Sequence, residues 1–148
     1  VRLLHPEATL PTRGSPLSAG LDIYALEGGI VPAGKTVRIP TGIAIDLTPK
    51  LPEAVSSVFG KLETRSSMAA LGVIVVGGII DSDYRGEISV CLCNTSEVDY
   101  EYTINAETGD KPRIAQLIVQ PFLARTPVIV ESLDETERGE GGFGSTGA

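Results

Sequence analysis

The chain reads as an all-β protein, an antiparallel sandwich or barrel, on three observations. Many short segments alternate apolar and polar residues, turn signals separate them at close intervals, and one short stretch alone reads as helix. In chain order, Ser18 to Ala25 is a strand carrying Asp22 among apolar neighbours. Thr41 to Leu47 alternates with Ile43, Ile45 and Leu47 on one face. Glu87 to Leu92 and Val98 to Ile104 alternate likewise. Arg113 to Phe122 and Pro127 to Leu133 are rich in Ile and Val and suit buried strands. Turns are expected at Glu27-Gly28-Gly29, Pro32-Ala33-Gly34, Thr48-Pro49-Lys50, Asn94-Thr95-Ser96 and Thr108-Gly109-Asp110. The helix is barely a turn: Ser66 or Ser67 caps it, Met68 to Leu71 propagate it, and Gly72 ends it.

With 148 residues and 42% apolar content the chain can bury one core, which must be aliphatic because aromatics are only 5% and Trp is absent. The net charge of −7 argues against a nonspecific nucleic-acid binder, which needs a basic face. It leaves room for a single nucleotide held by a few local cations and a metal. Cys91 and Cys93 share one strand face, where a mutual disulfide would be strained. Zinc is disfavoured because His5 is the only histidine. No signal peptide or membrane-spanning helix is visible, so an intracellular protein, cytoplasmic or nuclear, is expected.

The last residues, from Arg138 to Gly147, carry one arginine, one ring and two hydroxyls separated by glycines. They lack an apolar face. Arg138 can fork onto phosphate, Phe143 can stack on a base, and glycines let backbone N–H groups approach closely. Such a tail suits a lid that orders on its ligand. Residues 134–148 are therefore expected to form a glycine-rich arm on a barrel domain of residues 1–133. Elsewhere, Arg65-Ser66-Ser67 places a cation and two hydroxyls at a helix start, an arrangement suited to anions or simply to capping. Gly77 to Glu87 reads as a hairpin with carboxylates and a tyrosine near its bend. A carboxylate there can take a proton from water. Asp22 needs an arginine or a metal-bound water as partner, and Gln116 in its apolar strand needs a specific hydrogen bond.

In their joint order these segments resemble the trimeric dUTPase family, the dUTP diphosphatases. Ala19 to Ala25, Arg65 to Ala69, Gly78 to Glu87, Gly109-Asp110 with Arg113 to Leu117, and Arg138-Gly139 with Gly142 to Gly147 match its five motifs. The resemblance implies a distorted jelly-roll β-barrel that closes as a homotrimer, each site drawing on three chains. The implied reaction converts dUTP and water to dUMP and diphosphate. Asp81 then matches the general base, and Tyr84 the ring beneath the deoxyribose. Gly78, Ile79, Ile80 and Ser89 supply the backbone that meets uracil. Arg65, Ser66, Ser67, Gln116, Arg138, Gly144, Ser145 and Thr146 bind the rest of the substrate, with Phe143 stacked on uracil. Mg²⁺ is implied as cofactor, held by phosphate oxygens and waters that Asp22 and Gln116 orient, without direct protein ligands. Lys111-Pro112 stands as an insertion that lengthens a hairpin. The implied partners are dUTP and two further copies of the chain, with no nucleic acid and no membrane.

Two other readings remain open at this point. A dCTP deaminase shares the fold and the Arg-Ser-Ser motif, but it calls for an arginine where Ala70 stands and a glutamate where Cys91 stands. A catalytically silent dUTPase-like interaction module would keep the barrel while losing a motif.

Overall fold

The computed structural model describes residues 1–48 and 57–142. Its elements run β1 (Arg2–Leu3), β2 (Thr12–Arg13), β3 (Leu21–Tyr24), β4 (Gly29–Val31), β5 (Thr36–Pro40) and β6 (Ile43–Ala44). They continue with β7 (Ser57–Glu63), α1 (Ser66–Ala69), β8 (Val73–Val76), β9 (Ile79–Ile80), β10 (Ser89–Asn94), β11 (Tyr100–Tyr102) and β12 (Arg113–Phe122). Every described strand pair is antiparallel. The largest sheet has the order β2-β3-β12-β7-β9, the next β5-β10-β8, and two-stranded pairs β1-β6 and β11-β4 complete the set. The all-β expectation is met, with one short helix.

Period-two alternation makes the core. In β7, Val58, Gly60 and Leu62 face inward, and in β10 so do Val90, Leu92 and Asn94. Leu62, Val90 and Leu92 meet Ile23, Val31, Ile88, Ile114 and Leu117 in a single cluster. Asn94 and Thr41 are the polar residues inside it. The Asn94 amide donates to the Val31 and Val98 carbonyls at 2.9 and 2.8 Å, and its oxygen accepts from Ser96. Thr41 donates to the Ile88 carbonyl at 2.6 Å. Both side chains therefore replace the water they lose, and each ties the β10 region to a segment outside the β5-β10-β8 sheet.

Several elements differ from expectation, each for a physical reason. Arg113 to Phe122 forms β12 as foreseen, but a register shift between Arg113 and Ala115 breaks strict alternation, so Ile114 and Ala115 are both buried. Thr41 to Leu47 pairs only over Ile43–Ala44, because its partner β1 is two residues long. Residues 79–89 are not a hairpin: β9 pairs with β7, whereas β10 pairs with β5 and β8, so the segment crosses between sheets. Residues 103–112, with Lys111-Pro112, likewise connect two sheets instead of lengthening a hairpin, since β11 pairs β4 and β12 pairs β3 and β7. The loop is closed by Asn105 donating to the Asp110 carbonyl and Gly109 to the Asn105 carbonyl.

Pro127 to Leu133 is not a buried strand. Val128, Ile129 and Leu133 are 80%, 101% and 86% exposed, and no described backbone lies alongside to pair with them. A strand needs both a hydrogen-bonding edge and an apolar surface, and this chain supplies neither there. The turn expected at Thr48-Pro49-Lys50 falls partly outside the described residues.

Replacing Asn94 with Ala removes the amide's bonds to the Val31 and Val98 carbonyls and the acceptor that holds Ser96. A loss of about 2–4 kcal/mol in unfolding free energy is expected from urea titration. A variant as stable as the parent would show that the amide carries no structural load.

Candidate functional site

The register of the large sheet builds a polar ledge. Asp22 on β3 lies opposite Gln116 on β12, and Gln116 lies opposite Glu63 on β7; Thr12 on β2 faces Asp22 from the other side. Directly opposed residues share a sheet face, so four polar side chains form one row across four strands. Asp22 is 15% exposed and finds two cations: Arg65 Nε at 3.2 Å and Arg113 Nη1 at 3.4 Å, one on each carboxylate oxygen. Its partners are thus arginines, one of the two alternatives the sequence allowed. Arg65 also donates to the Arg113 carbonyl at 3.3 Å. Gln116 donates to the Thr64 carbonyl at 3.2 Å, and the Thr64 hydroxyl accepts from Val75 N at 2.7 Å. Lys61 pairs with Glu63. The ledge therefore fixes Arg65 and the residue before it.

Beyond Arg65 the chain enters α1. Arg65 itself occupies the N-cap position, in extended conformation and without a side-chain cap. The expected Ser cap is absent because Ser66 is already helical and Ser67 follows it, so both hydroxyls point outward and stay exposed. Met68, 2% exposed, anchors the turn in the core, and Gly72 at φ 74° leads the chain out. Arg65 and Arg113 also flank a groove of about 860 Å³ walled by Tyr24, Tyr100 and Lys111. Burial pushes the Tyr100 hydroxyl above its ordinary pKa, opposed by the Arg65 guanidinium.

A second recess, of about 340 Å³, lies among β5, β9 and β10. Ile79, Ile80, Asp81, Tyr84, Ser89 and Cys91 line it, joined by Arg38 and Glu87. Its back is clamped to β7: Leu62 N donates to the Gly78 carbonyl at 2.7 Å, and a Cβ at Gly78 would run into the Leu62 carbonyl. The 81–84 turn closes through Tyr84 N on the Asp81 carbonyl at 3.1 Å. The Tyr84 hydroxyl donates to the Glu87 carbonyl at 3.0 Å, which lays the ring over Gly86. Glu87 in turn accepts from Gly42 N at 2.8 Å. Arg85 reaches outward to Asp46 at 2.9 Å and to the Thr48 hydroxyl at 2.7 Å, bracing the loop. The Asp81 carboxylate is exposed, and no described side chain or backbone group bonds it.

One chain thus gathers the predicted residues into two groups. Asp22, Arg65, Ser66, Ser67 and Gln116 cluster on and beside the ledge; Gly78, Ile79, Ile80, Asp81, Tyr84 and Ser89 cluster at the recess. Arg65 lines the larger groove and Asp81 the smaller recess, and neither space holds both. Arg138 joins neither. It lies on the exposed segment after β12 and donates to the Gly141 carbonyl at 2.9 Å. Phe143, Gly144, Ser145 and Thr146 lie outside the described residues. Sequence reading missed Arg38, Cys91 and the Arg85 brace. Arg38 was visible only as one cation on an alternating strand, and its place opposite Cys91 depends on the β5–β10 register.

Comparison with known proteins decides the relationship. The family model described as dUTPase matches residues 6–147. The deoxyuridine 5'-triphosphate nucleotidohydrolase of Arabidopsis thaliana is 45% identical over 148 residues, covering 99% of this chain and 81% of that protein. This chain belongs to the dUTPase family. The enzyme of the same name from Paramecium bursaria Chlorella virus 1 is 42% identical, covering 99% of this chain and 96% of the other. Among solved structures, Staphylococcus bacteriophage 80alpha dUTPase with dUPNHPP superposes with a TM-score of 0.79 at 25% identity, over 99% of this chain and 96% of the phage chain. The dUTPase family is thus matched in sequence and in fold across nearly the whole chain.

Because the recess depends on the β7–β9 clamp, Gly78→Ala should weaken it. The added methyl meets backbone, which cannot swing aside. A destabilisation of about 1–3 kcal/mol is expected by urea titration. Parental stability would mean that the two strands are not held as closely as drawn here.

Proposed function

We propose that the protein hydrolyses dUTP to dUMP and diphosphate, with Asp81 as the general base. The observation that carries this reading is the lining of the smaller recess. An unbonded carboxylate, a fixed tyrosine ring and two strand edges face one space large enough for a deoxyuridine. The base lies against the backbone of Gly78, Ile79, Ile80 and Ser89. Fixed N–H and C=O groups there favour uracil, since a base with the wrong pattern leaves them unpaired. The Tyr84 ring, held by its hydroxyl on Glu87, lies beneath the sugar and leaves no space for a ribose 2′-OH. Asp81 holds a water and takes its proton as the water oxygen attacks the α-phosphorus in line. The bond from that phosphorus to the bridging oxygen breaks, and diphosphate leaves.

Phosphate binding falls to the other group. Arg65 and the exposed hydroxyls of Ser66 and Ser67 face one side of the triphosphate, with Gln116 beside them. Arg138, Gly144, Ser145 and Thr146 of the arm, residues 134–148, face the other, and Phe143 stacks on uracil. Arg65 is preset for this work because Asp22 and the Arg113 carbonyl fix its guanidinium. Mg²⁺, held by phosphate oxygens and water, supplies neutralisation of the triphosphate charge. The donor set fits an ion held in this way. The Asp22 carboxylate, with one arginine on each oxygen, retains lone pairs for a water. Gln116 keeps its amide oxygen for the same task.

A homotrimer with shared sites follows from the same reading. The ledge and the recess open on different cavities of one chain, an arrangement that supports sites shared between copies. Residues 123–133 expose the apolar side chains Leu123, Val128, Ile129, Val130 and Leu133 to solvent, a surface that suits another copy. The deaminase reading lacks its acid–base residue, since Cys91 stands in the recess. The silent-module reading must leave the recess and its carboxylate without a task.

Asp81→Asn keeps the size of the side chain and removes the base. It is expected to bind a non-hydrolysable dUTP analogue with parental affinity and to hydrolyse dUTP about 10²- to 10⁴-fold more slowly. Undiminished turnover would remove Asp81 from its role. Deleting residues 140–148 should leave the circular-dichroism spectrum and the oligomeric state unchanged while nearly abolishing turnover. An active truncated protein would make the tail dispensable.

A further inference from the structure

We infer that Arg38 reads the 4-position of the pyrimidine and is a specificity-determining residue of the recess. The inference rests on the reading of that recess as the uracil site. Arg38 lies on β5 directly opposite Cys91 on β10, and Ser89 stands opposite Pro40 two residues along. Arg38, Cys91 and Ser89 therefore share one face of the sheet and line one recess with Asp81 and Tyr84. Among the described residues Arg38 makes no ion pair or hydrogen bond, whereas Arg65, Arg85 and Arg113 are each engaged. Of the carboxylates near it, Glu87 is occupied by Gly42 N. The recess thus contains a guanidinium with five donors, no acceptor and no partner among the described residues.

The geometry selects which edge of the base it meets. With the sugar over Tyr84, the glycosidic N1 is at that end of the recess. The ring atom para to N1 is C4, which projects along β10 from Ser89 toward Cys91 and Arg38. Uracil carries a carbonyl oxygen at that position and cytosine an amino group. A donor-only group bonds the carbonyl and is left facing two more donors by the amine, so Arg38 favours uracil by attraction and disfavours cytosine by mismatch. The Cys91 thiol beside it is small enough to leave the oxygen accessible. The backbone reads the rest of the edge, and Arg38 adds a charged contact at the far end.

The test compares the intact protein with Arg38→Met, which keeps the apolar stem, and Arg38→Lys, which keeps a charged donor. Steady-state hydrolysis of dUTP and dCTP is followed by diphosphate release with Mg²⁺. For Arg38→Met the expected result is a KM for dUTP raised about tenfold or more with kcat within twofold, and a dUTP-to-dCTP ratio of kcat/KM lowered by a similar factor. Arg38→Lys should recover part of both. An unchanged KM and ratio overturn the inference, as does a fall in kcat at constant ratio, which would make Arg38 a positioning group for Asp81. If Arg38→Met does not fold, Arg38→Lys alone decides by the same ratio, expected below the parental value. If the parent protein fails to hydrolyse dUTP, the underlying reading fails first and is distinguished by that control.

Discussion

The pairing of β12 with β3 on one edge and β7 on the other is the constraint on which the rest depends. Its ten residues carry the register that brings Asp22, Gln116 and Glu63 into a line. A slip of one residue would turn Gln116 into the core and leave Asp22 facing an apolar neighbour. With the register kept, Asp22 draws in Arg65 and Arg113 from segments 43 and 91 residues away. The exit from β7 into α1 is thereby fixed, and with it the exposed Ser66 and Ser67. β7 also carries β9 on its other edge, so the same strand that supports the ledge supports the back of the recess. Two groups of functional residues thus hang on one set of hydrogen bonds.

The division between those groups has an energetic logic. A triphosphate needs cations, and a general base needs a carboxylate that cations do not quench. Within one chain Arg65 and Arg113 are committed to Asp22, while Asp81 is left unbonded at the lip of a different cavity. Arg85, four residues from Asp81, is turned away to Asp46 and Thr48 and braces the loop from outside. Among the described residues Arg38 alone brings an unpaired positive charge into the recess, on the wall formed by β5. An acidic chain can therefore bind a highly charged nucleotide, because the few cations that matter are placed individually.

Much of the fold was legible because strands announce themselves by period two. Arg113 to Phe122 is a strand from end to end, whereas the helix stops at Ala69 with Ala70 as its C-cap, short of the expected stop at Gly72. Partner choice was not legible. Residues 79–89 look like a hairpin in one dimension, and only the cross-sheet pairing of β9 with β7 shows otherwise. Pro127 to Leu133 has the composition of a buried strand and no pairing partner among the described residues, so its apolar side chains stay exposed. Among site residues, Asp22 could be read as requiring a counter-charge, but which arginines supply it depends on contacts across the fold. Arg38 shows the same limit: its residue type is plain and its meaning lies in the register opposite Cys91.

The central claim is that the recess and the ledge together serve one substrate. Diphosphate release by the full chain from dUTP, dCTP, dTTP and UTP, each with Mg²⁺, tests it most directly. Hydrolysis of dUTP to dUMP, with the other three turned over slower by orders of magnitude, is the predicted result. Comparable release from all four, or none from dUTP, would contradict it.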